Sequence, residues 1–178
     1  IFYSQFKKHR LHEKIVTLLS HGPLSLQELA DKLKISSSGG LKRYLNELLR
    51  ADFIITYTLD MKDSVKNKKY KLADSYLLFY FKFIRPSLKV TSQRNIARYF
   101  KDHVMAQWNS WLGFMFEIYC IKHALFFAEK LQILDVVEFY GPAKISGKNG
   151  LQIDLFFKTI EKTFYLCECK FTNNACDT

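Results

Sequence analysis

The fold of the amino-terminal half is decided by residues 40–58, which read G-L-K-R-Y-L-N-E-L-L-R-A-D-F-I-I-T-Y-T. The first twelve of these residues place leucines at helical spacing, and Lys42, Arg43 and Asn46 fall on the opposite face. The β-branched and aromatic run 53–58 is typical of a strand. The stretch therefore predicts a helix over 40–51 with one apolar and one hydrogen-bonding face, leading into a strand.

Two further helices are predicted before this stretch and a second strand after it. Apolar spacing favours a helix over 5–20, and a short helix over 26–33 begins with Ser25 and Glu28 in the pattern of a capping box. A basic polar stretch follows residue 58, and 70–72 reads as the returning strand. Three helices followed by a two-stranded wing predict a winged helix-turn-helix domain over residues 1–73.

The donor side chains of this predicted domain are the candidates for DNA contact. A third helix of this kind fits the major groove, while lysines of the wing lie near phosphate. The alternative is that the module binds protein and that the charged face of the helix is only solvated. The candidate DNA-binding residues are Ser37, Ser38, Lys42, Arg43, Asn46, Lys66, Lys68 and Lys69.

The charge of the chain is unevenly distributed. The 178 residues carry a net charge of +10, and residues 1–100 hold 19 Lys and Arg against 8 Asp and Glu. Residues 101–178 hold 8 against 9. An excess of +11 in one half and −1 in the other predicts two modules, of which the basic one meets a polyanion.

An aromatic connector is predicted over residues 74–104. Asp74 is a candidate N-cap for a helix that ends before Pro86, and a second, basic helix is predicted over 91–101. The aromatic side chains surround the first helix, which favours a buried helix over a base-stacking surface.

The same region carries a resemblance to a known family. Residues 70–86 read Y-K-L-A-D-S-Y-L-L-F-Y-F-K-F-I-R-P and resemble the segment after the ATPase core of archaeal and bacterial AAA+-type ATPases, Y-x-I-x-D-P-F-L-x-F-W-Y-x-F-I-x-P. Ser75 and Tyr80 depart from that pattern. The resemblance implies an amino-terminal ATPase domain outside this chain, and ATP belongs to that domain, because the glycine-containing stretch 141–149 lacks the spacing of a phosphate loop.

Four polar side chains stand out in the carboxyl-terminal part, predicted as a helix over 109–128 and strands over 133–140, 151–157 and 163–170. Glu117 lies on the apolar helix, Asp154 on the second strand, and Glu168 and Lys170 share one face of the third. Converging carboxylates can bind Mg²⁺ or Mn²⁺. We therefore expect Asp154 and Glu168 as metal ligands, Glu117 as an auxiliary ligand or base, and Lys170 as the cation that positions water or phosphate.

This pattern resembles the PD-(D/E)xK nuclease superfamily and implies metal-dependent phosphodiester hydrolysis. The resemblance covers residues 105–178 and implies an α/β nuclease-like domain, incomplete at its carboxyl end. The predicted fold class is therefore α+β: a winged helix-turn-helix, a helical connector and a nuclease-like domain. A non-catalytic DNA- or protein-binding module with a relic nuclease fold is the alternative, in which Lys170 only forms an ion pair.

The composition of the chain limits where in the cell we expect the protein and which partners we expect for it. The longest stretches without a charged residue, 15–27 and 104–116, are shorter than the roughly 18 residues of a membrane span, so we expect no membrane partner. Four cysteines without a secretory signal indicate reduced thiols and a cytoplasmic protein, and their spacing fits no standard zinc site. An exposed apolar sheet edge favours homo-oligomers.

Overall fold

The computed structural model describes residues 9–36, 39–59, 61, 68–89, 93–145 and 150–172. The chain separates into two compact units, Ile1–Ile84 and Arg85–Thr178. The connector predicted over 74–104 is therefore divided between the two units.

The first unit has the element order of a winged helix. Strand β3 lies between β1 and β2 and is antiparallel to both, with Leu24 opposite Tyr70 and Ile54 opposite Leu72. The short strand β1 was not predicted, because two residues carry no periodicity. In chain order the elements are α1 (His9–Leu19), β1 (Leu24–Ser25), α2 (Leu26–Leu33), α3 (Gly39–Arg50), β2 (Ile54–Leu59), β3 (Lys68–Leu72) and α4 (Ser75–Phe79).

The core of the first unit is built by the apolar faces of its helices. Ile15 and Val16 of α1, Leu29 of α2 and Leu45 of α3 are fully buried in one cluster. Both strands of the hairpin add to it, through residues such as Leu72. Since each helix contributes side chains at a spacing of three or four residues, burial of this face stabilises the three-helix arrangement.

Helix α4 begins as predicted but does not lead to the predicted end. The Asp74 carboxylate accepts a hydrogen bond from the Leu77 amide at 2.7 Å, which confirms the N-cap. Residues Tyr80–Ile84 then form a π-helical turn, and Arg85–Ser87 are helical although they contain Pro86. The prediction of a stop before Pro86 is wrong, because the π-helical turn already interrupts the regular helical hydrogen bonds just before Pro86 and the segment continues to Ser87.

The second unit combines helices with a three-stranded antiparallel sheet. Strand β5 is central, with Leu155 opposite Cys167 on one side and Ala143 opposite Ile153 on the other. The elements are α5 (Arg85–Ser87), α6 (Gln93–Tyr99), α7 (Trp108–Lys122), α8 (Ala124–Lys130), β4 (Val137–Ile145), β5 (Leu151–Thr159) and β6 (Phe164–Cys167). Together the two units make the chain an α+β protein.

Two predictions in the second unit are corrected. The single helix predicted over 109–128 is interrupted at His123, so that α7 and α8 are separate helices. Gly141 and Pro142, predicted in a loop, lie inside β4 at a shift of register. Such an irregularity admits a proline that a regular ladder position would reject.

The length and polarity of the helices decide whether one of them can span a membrane. Within the described ranges no single helix is long and apolar enough to cross a bilayer. Asn95–Lys122 and Ala124–Lys130, which are bent by 70° relative to each other, meet the requirement as a pair by length and composition alone.

Candidate nucleic-acid interface and acidic site

Helix α3 separates its apolar and polar residues onto two faces. Leu41, Leu45 and Leu48 are at most 2% exposed and face the core of the first unit. Lys42, Arg43 and Asn46 of the predicted DNA-binding set are exposed, as is Arg50. The predicted donors on this helix are therefore available to an external partner.

A side-chain hydrogen bond that was not predicted joins α3 to α1. The His12 Nε2 atom donates to the Glu47 carboxylate at 2.8 Å, and the other oxygen of Glu47 lies 3.8 Å from Arg43 Nε. His12 is 1% exposed, and its ring meets the edge of Tyr44 at a centroid distance of 4.8 Å. One signal was readable: His12 lies three and four residues before the core residues Ile15 and Val16, so it belongs to the buried face.

The other predicted DNA-binding residues divide into two groups. Ser37, Ser38 and Lys66 lie outside the described residues. Lys68 and Lys69 lie at the start of β3, and Lys69 Nζ is 3.3 Å from a carboxylate oxygen of Glu28. Lys69 therefore links β3 to α2.

Glu28 is also part of the capping box of α2. The Ser25 amide donates to the Glu28 carboxylate at 2.6 Å, and the Glu28 amide donates to Ser25 Oγ at 3.2 Å, which confirms the predicted box. The hydrogen bond from the Ser25 backbone, with further help from the Ser25 hydroxyl and Lys69, lowers the pKa of Glu28 from its ordinary value of 4.5.

In the second unit, Asp154 contacts the chain on which Glu168 and Lys170 lie. Asp154 is half-buried on β5, and its carboxylate accepts a hydrogen bond from the Cys169 amide at 3.0 Å. Glu168 and Lys170 flank Cys169 and are exposed, with Lys170 Nζ 3.3 Å from a Glu168 oxygen. The structure thus brings three of the four predicted residues into one neighbourhood.

The fourth residue, Glu117, lies half-buried on α7. Burial raises the pKa of the Cys120 thiol, and the charges of Asp154 and Glu117 raise it further. Across the described ranges, however, no three His, Cys, Asp or Glu side chains are grouped to hold a metal ion.

A cavity of about 490 Å³ adjoins these residues. Burial raises the pKa of the Cys120, Cys167 and Cys169 thiols, and a hydrogen bond between Cys120 and Cys169 partly offsets this for Cys120. None of these three cysteines forms a disulfide with another described residue. The cavity is lined by Phe116, Cys120, Phe127, Lys130, Leu131, Leu155, Cys167, Glu168, Cys169 and Lys170.

Comparison with known proteins identifies few relatives. No family model matches the chain. The uncharacterized protein MJECL04 of Methanocaldococcus jannaschii is 30% identical over 115 residues, which are 64% of this chain and 25% of that protein. The chain thus spans about a quarter of the length of this relative.

One solved structure is a distant neighbour. The adhesin competence repressor AdcR of Streptococcus pyogenes aligns with 71% of this chain and 73% of its own, at 18% identity and a TM-score of 0.31. This likeness is too weak to show a fold or a function. The fold and the proposed function are inferred from the elements and side chains of the chain itself.

Proposed function

We propose that the first unit binds DNA through helix α3. The observation that carries this proposal is the exposure of Lys42, Arg43 and Asn46 on the face opposite the buried leucines of that helix. In a winged helix this element enters the major groove, where arginine and lysine recognise guanine and asparagine recognises adenine. Phosphate contacts from the wing then supply affinity that does not depend on sequence.

The charge of the first unit supports the same proposal. Residues 1–84 contain 15 Lys and Arg against 8 Asp and Glu, which leaves an excess of +7. Binding to a polyanion releases counterions, so this excess favours association and makes it sensitive to salt. A partner protein is the rival, and it would have to present an acidic surface to α3.

The remaining parts of the proposal come from the family resemblance and the composition. An AAA+-type ATPase domain outside this chain would bind ATP, and the protein would act in the cytoplasm. Homo-oligomers are proposed from strand β6, whose Phe164 and Leu166 side chains are 43% and 57% exposed. An exposed apolar edge strand favours pairing with another chain.

A double variant tests the DNA-binding proposal. We expect Lys42→Ala/Arg43→Ala to weaken binding to a fluorescent duplex by about tenfold or more, because each lost contact to a base or phosphate costs about 1 kcal/mol or more. Fluorescence anisotropy measures the affinity.

The matched control removes the same charge from the other unit. Lys122 and Lys144 are exposed on α7 and β4 of the second unit. We expect Lys122→Ala/Lys144→Ala to bind like the wild type. Equal losses in the two double variants would show that α3 has no special role.

Metal-dependent phosphodiester hydrolysis by the second unit is a second candidate function. The observation in its favour is the Asp154–Cys169 hydrogen bond, which holds Asp154 beside Glu168 and Lys170. Hydrolysis stays a prediction of the sequence pattern. If it is correct, Mg²⁺ or Mn²⁺ induces cleavage of linear DNA by the wild type, and Asp154→Ala abolishes it. Cleavage at equal rates by both proteins, or by neither, would contradict this candidate.

A further inference from the structure

Strand β6 lies at the edge of the sheet in the second unit. It pairs with β5 on one side, and no strand of the described residues lies on its other side. Thr159 and Thr163 close the β5–β6 hairpin, because the Thr159 amide donates to the Thr163 carbonyl at 3.0 Å. Hydrogen-bonded pairs alternate along an antiparallel ladder, so Tyr165 also bonds to β5. The N–H and C=O groups of Phe164 and Leu166 therefore point away from β5.

The side chains on one face of this edge are apolar. Phe164 and Leu166 are two residues apart and so share a face of the strand, and they are 43% and 57% exposed. The Phe164 ring lies 6.4 Å from the ring of Phe156, a fully buried residue of β5. The edge thus combines outward-facing backbone groups with exposed apolar side chains that continue the core.

We propose that β6 pairs with β6 of a second copy of the chain, antiparallel and about a two-fold axis at Tyr165. The proposal rests on the homo-oligomer proposed above and specifies its interface. In this register Phe164 of one copy lies opposite Leu166 of the other, and each such pair exchanges backbone hydrogen bonds in both directions. Since the two copies use the same surface, the contact closes on a dimer.

The charges at the two ends of β6 favour this register. Lys162, in the turn before the strand, comes close to Glu168 of the second copy, and the two-fold axis repeats this pair. Opposite charges at facing positions stabilise a sheet. Glu168 and Lys170 of one chain form an ion pair whose side chains are 72% and 62% exposed. Such an exposed pair is weak, so it does not prevent Glu168 from meeting a new partner.

The neighbouring two-fold registers are less favourable. An axis at Leu166 would place Lys162 opposite Lys170 of the second copy, and like charges at facing positions destabilise a sheet. An axis at Phe164 would place Lys162 opposite Leu166, where the ammonium group gains no partner. Of these registers, the axis at Tyr165 matches apolar side chains with each other and joins opposite charges.

Charge reversal at the two ends of β6 tests the proposal. Lys162 and Glu168 lie about 20 Å apart along an extended strand, so a direct contact between them forms only between copies. We expect Lys162→Glu and Glu168→Lys each to raise the dimer Kd by about tenfold or more, because each creates like-charge pairs on both sides of the axis. The double variant restores opposite charges and should recover the wild-type Kd. Sedimentation equilibrium of the full chain measures each value.

Lys144→Glu is the matched control. Lys144 is an exposed residue of β4, and reversal of its charge should leave the Kd unchanged. Circular dichroism should show that all variants are folded, since the three substituted residues are exposed. A dimer whose Kd does not respond to the single reversals, or does not recover in the double variant, would overturn the β6 register and leave the homo-oligomer itself standing. A chain that stays monomeric at high concentration would overturn both.

Discussion

At the scale of single residues, Glu47 links helix α3 to helix α1. Its carboxylate accepts a hydrogen bond from the buried His12 ring of α1 and lies near Arg43, one of the candidate DNA-binding residues. Glu47 itself is 41% exposed, so the pair links the interior of the unit to the surface of α3. If a buried imidazole loses its charged hydrogen-bond partner, the folded state is destabilised, since the cost of removing the ring from water is no longer compensated.

Substitution of Glu47 should therefore destabilise the first unit. We expect Glu47→Ala to lower the free energy of unfolding by about 1–3 kcal/mol, because the buried His12 ring has one hydrogen-bond partner fewer. Glu47→Gln keeps an acceptor oxygen and should lose less. Urea denaturation followed by circular dichroism measures both.

Glu13→Ala is the control for this prediction. Glu13 is an exposed carboxylate on α1, one residue from His12. Its loss should leave the unfolding midpoint close to that of the wild type. A Glu47→Ala midpoint equal to that of Glu13→Ala would show that the His12–Glu47 hydrogen bond contributes nothing.

At the scale of elements, the start of α2 is tied to the sheet through one carboxylate. Glu28 closes the capping box with Ser25 and also binds Lys69 of β3. The ionised form of Glu28 makes these contacts, and its pKa lies below 4.5 for that reason. A lowered pKa in the folded state links the stability of this junction to pH.

This linkage predicts the direction of acid destabilisation. The contribution of Glu28 is fully present above its ordinary pKa of 4.5 and is lost as the pH falls through the lower, folded-state value. Between about pH 5 and pH 3, Glu28→Gln should lose less stability than the wild type, because it has no carboxylate to protonate. Thermal melts across this range measure the difference. An equally steep loss in both proteins would contradict the role of Glu28.

The sequence predicted an element well where the apolar residues of that element recur with a clear period. Helices α2 and α3 were predicted to within a residue, since their leucines define one face and Ser25 marks a start. The break between α7 and α8 was missed, because apolar residues surround this segment and no face or breaker marks His123. Gly141 and Pro142 are loop-forming residues by composition, and only pairing with β5 makes them part of a strand.

The two candidate sites also differ in how far the sequence predicted them. The exposed donors of α3 were predictable, because the helical periodicity of the sequence places them on the face opposite the buried leucines. The carboxylate site was only partly predictable: Glu168 and Lys170 are both exposed, but the strand predicted over 163–170 ends at Cys167, before either of them. Whether they meet Asp154 and Glu117 depends on where β6 ends and how α7 packs, which local sequence does not encode.

At the scale of the whole molecule, the boundary at residue 84 changes the distribution of charge. Residues 1–84 carry +7 and residues 85–178 carry +3, whereas a division after residue 100 gives +11 and −1. The difference arises because the basic helix α6 and its flanks belong to the second unit. Arg98 of α6 is 83% exposed and pairs with Asp102 at 3.4 Å, so part of this charge is neutralised locally.

The salt dependence of DNA binding tests the central proposal most directly. Plots of log K against log salt should be linear and negative for the wild type, and the slope of Lys42→Ala/Arg43→Ala should be shallower by up to about two, one for each cation that meets a phosphate. The Lys122→Ala/Lys144→Ala control should keep the wild-type slope. Parallel lines for all three proteins, or no binding by the wild type at low salt, would contradict DNA binding by helix α3.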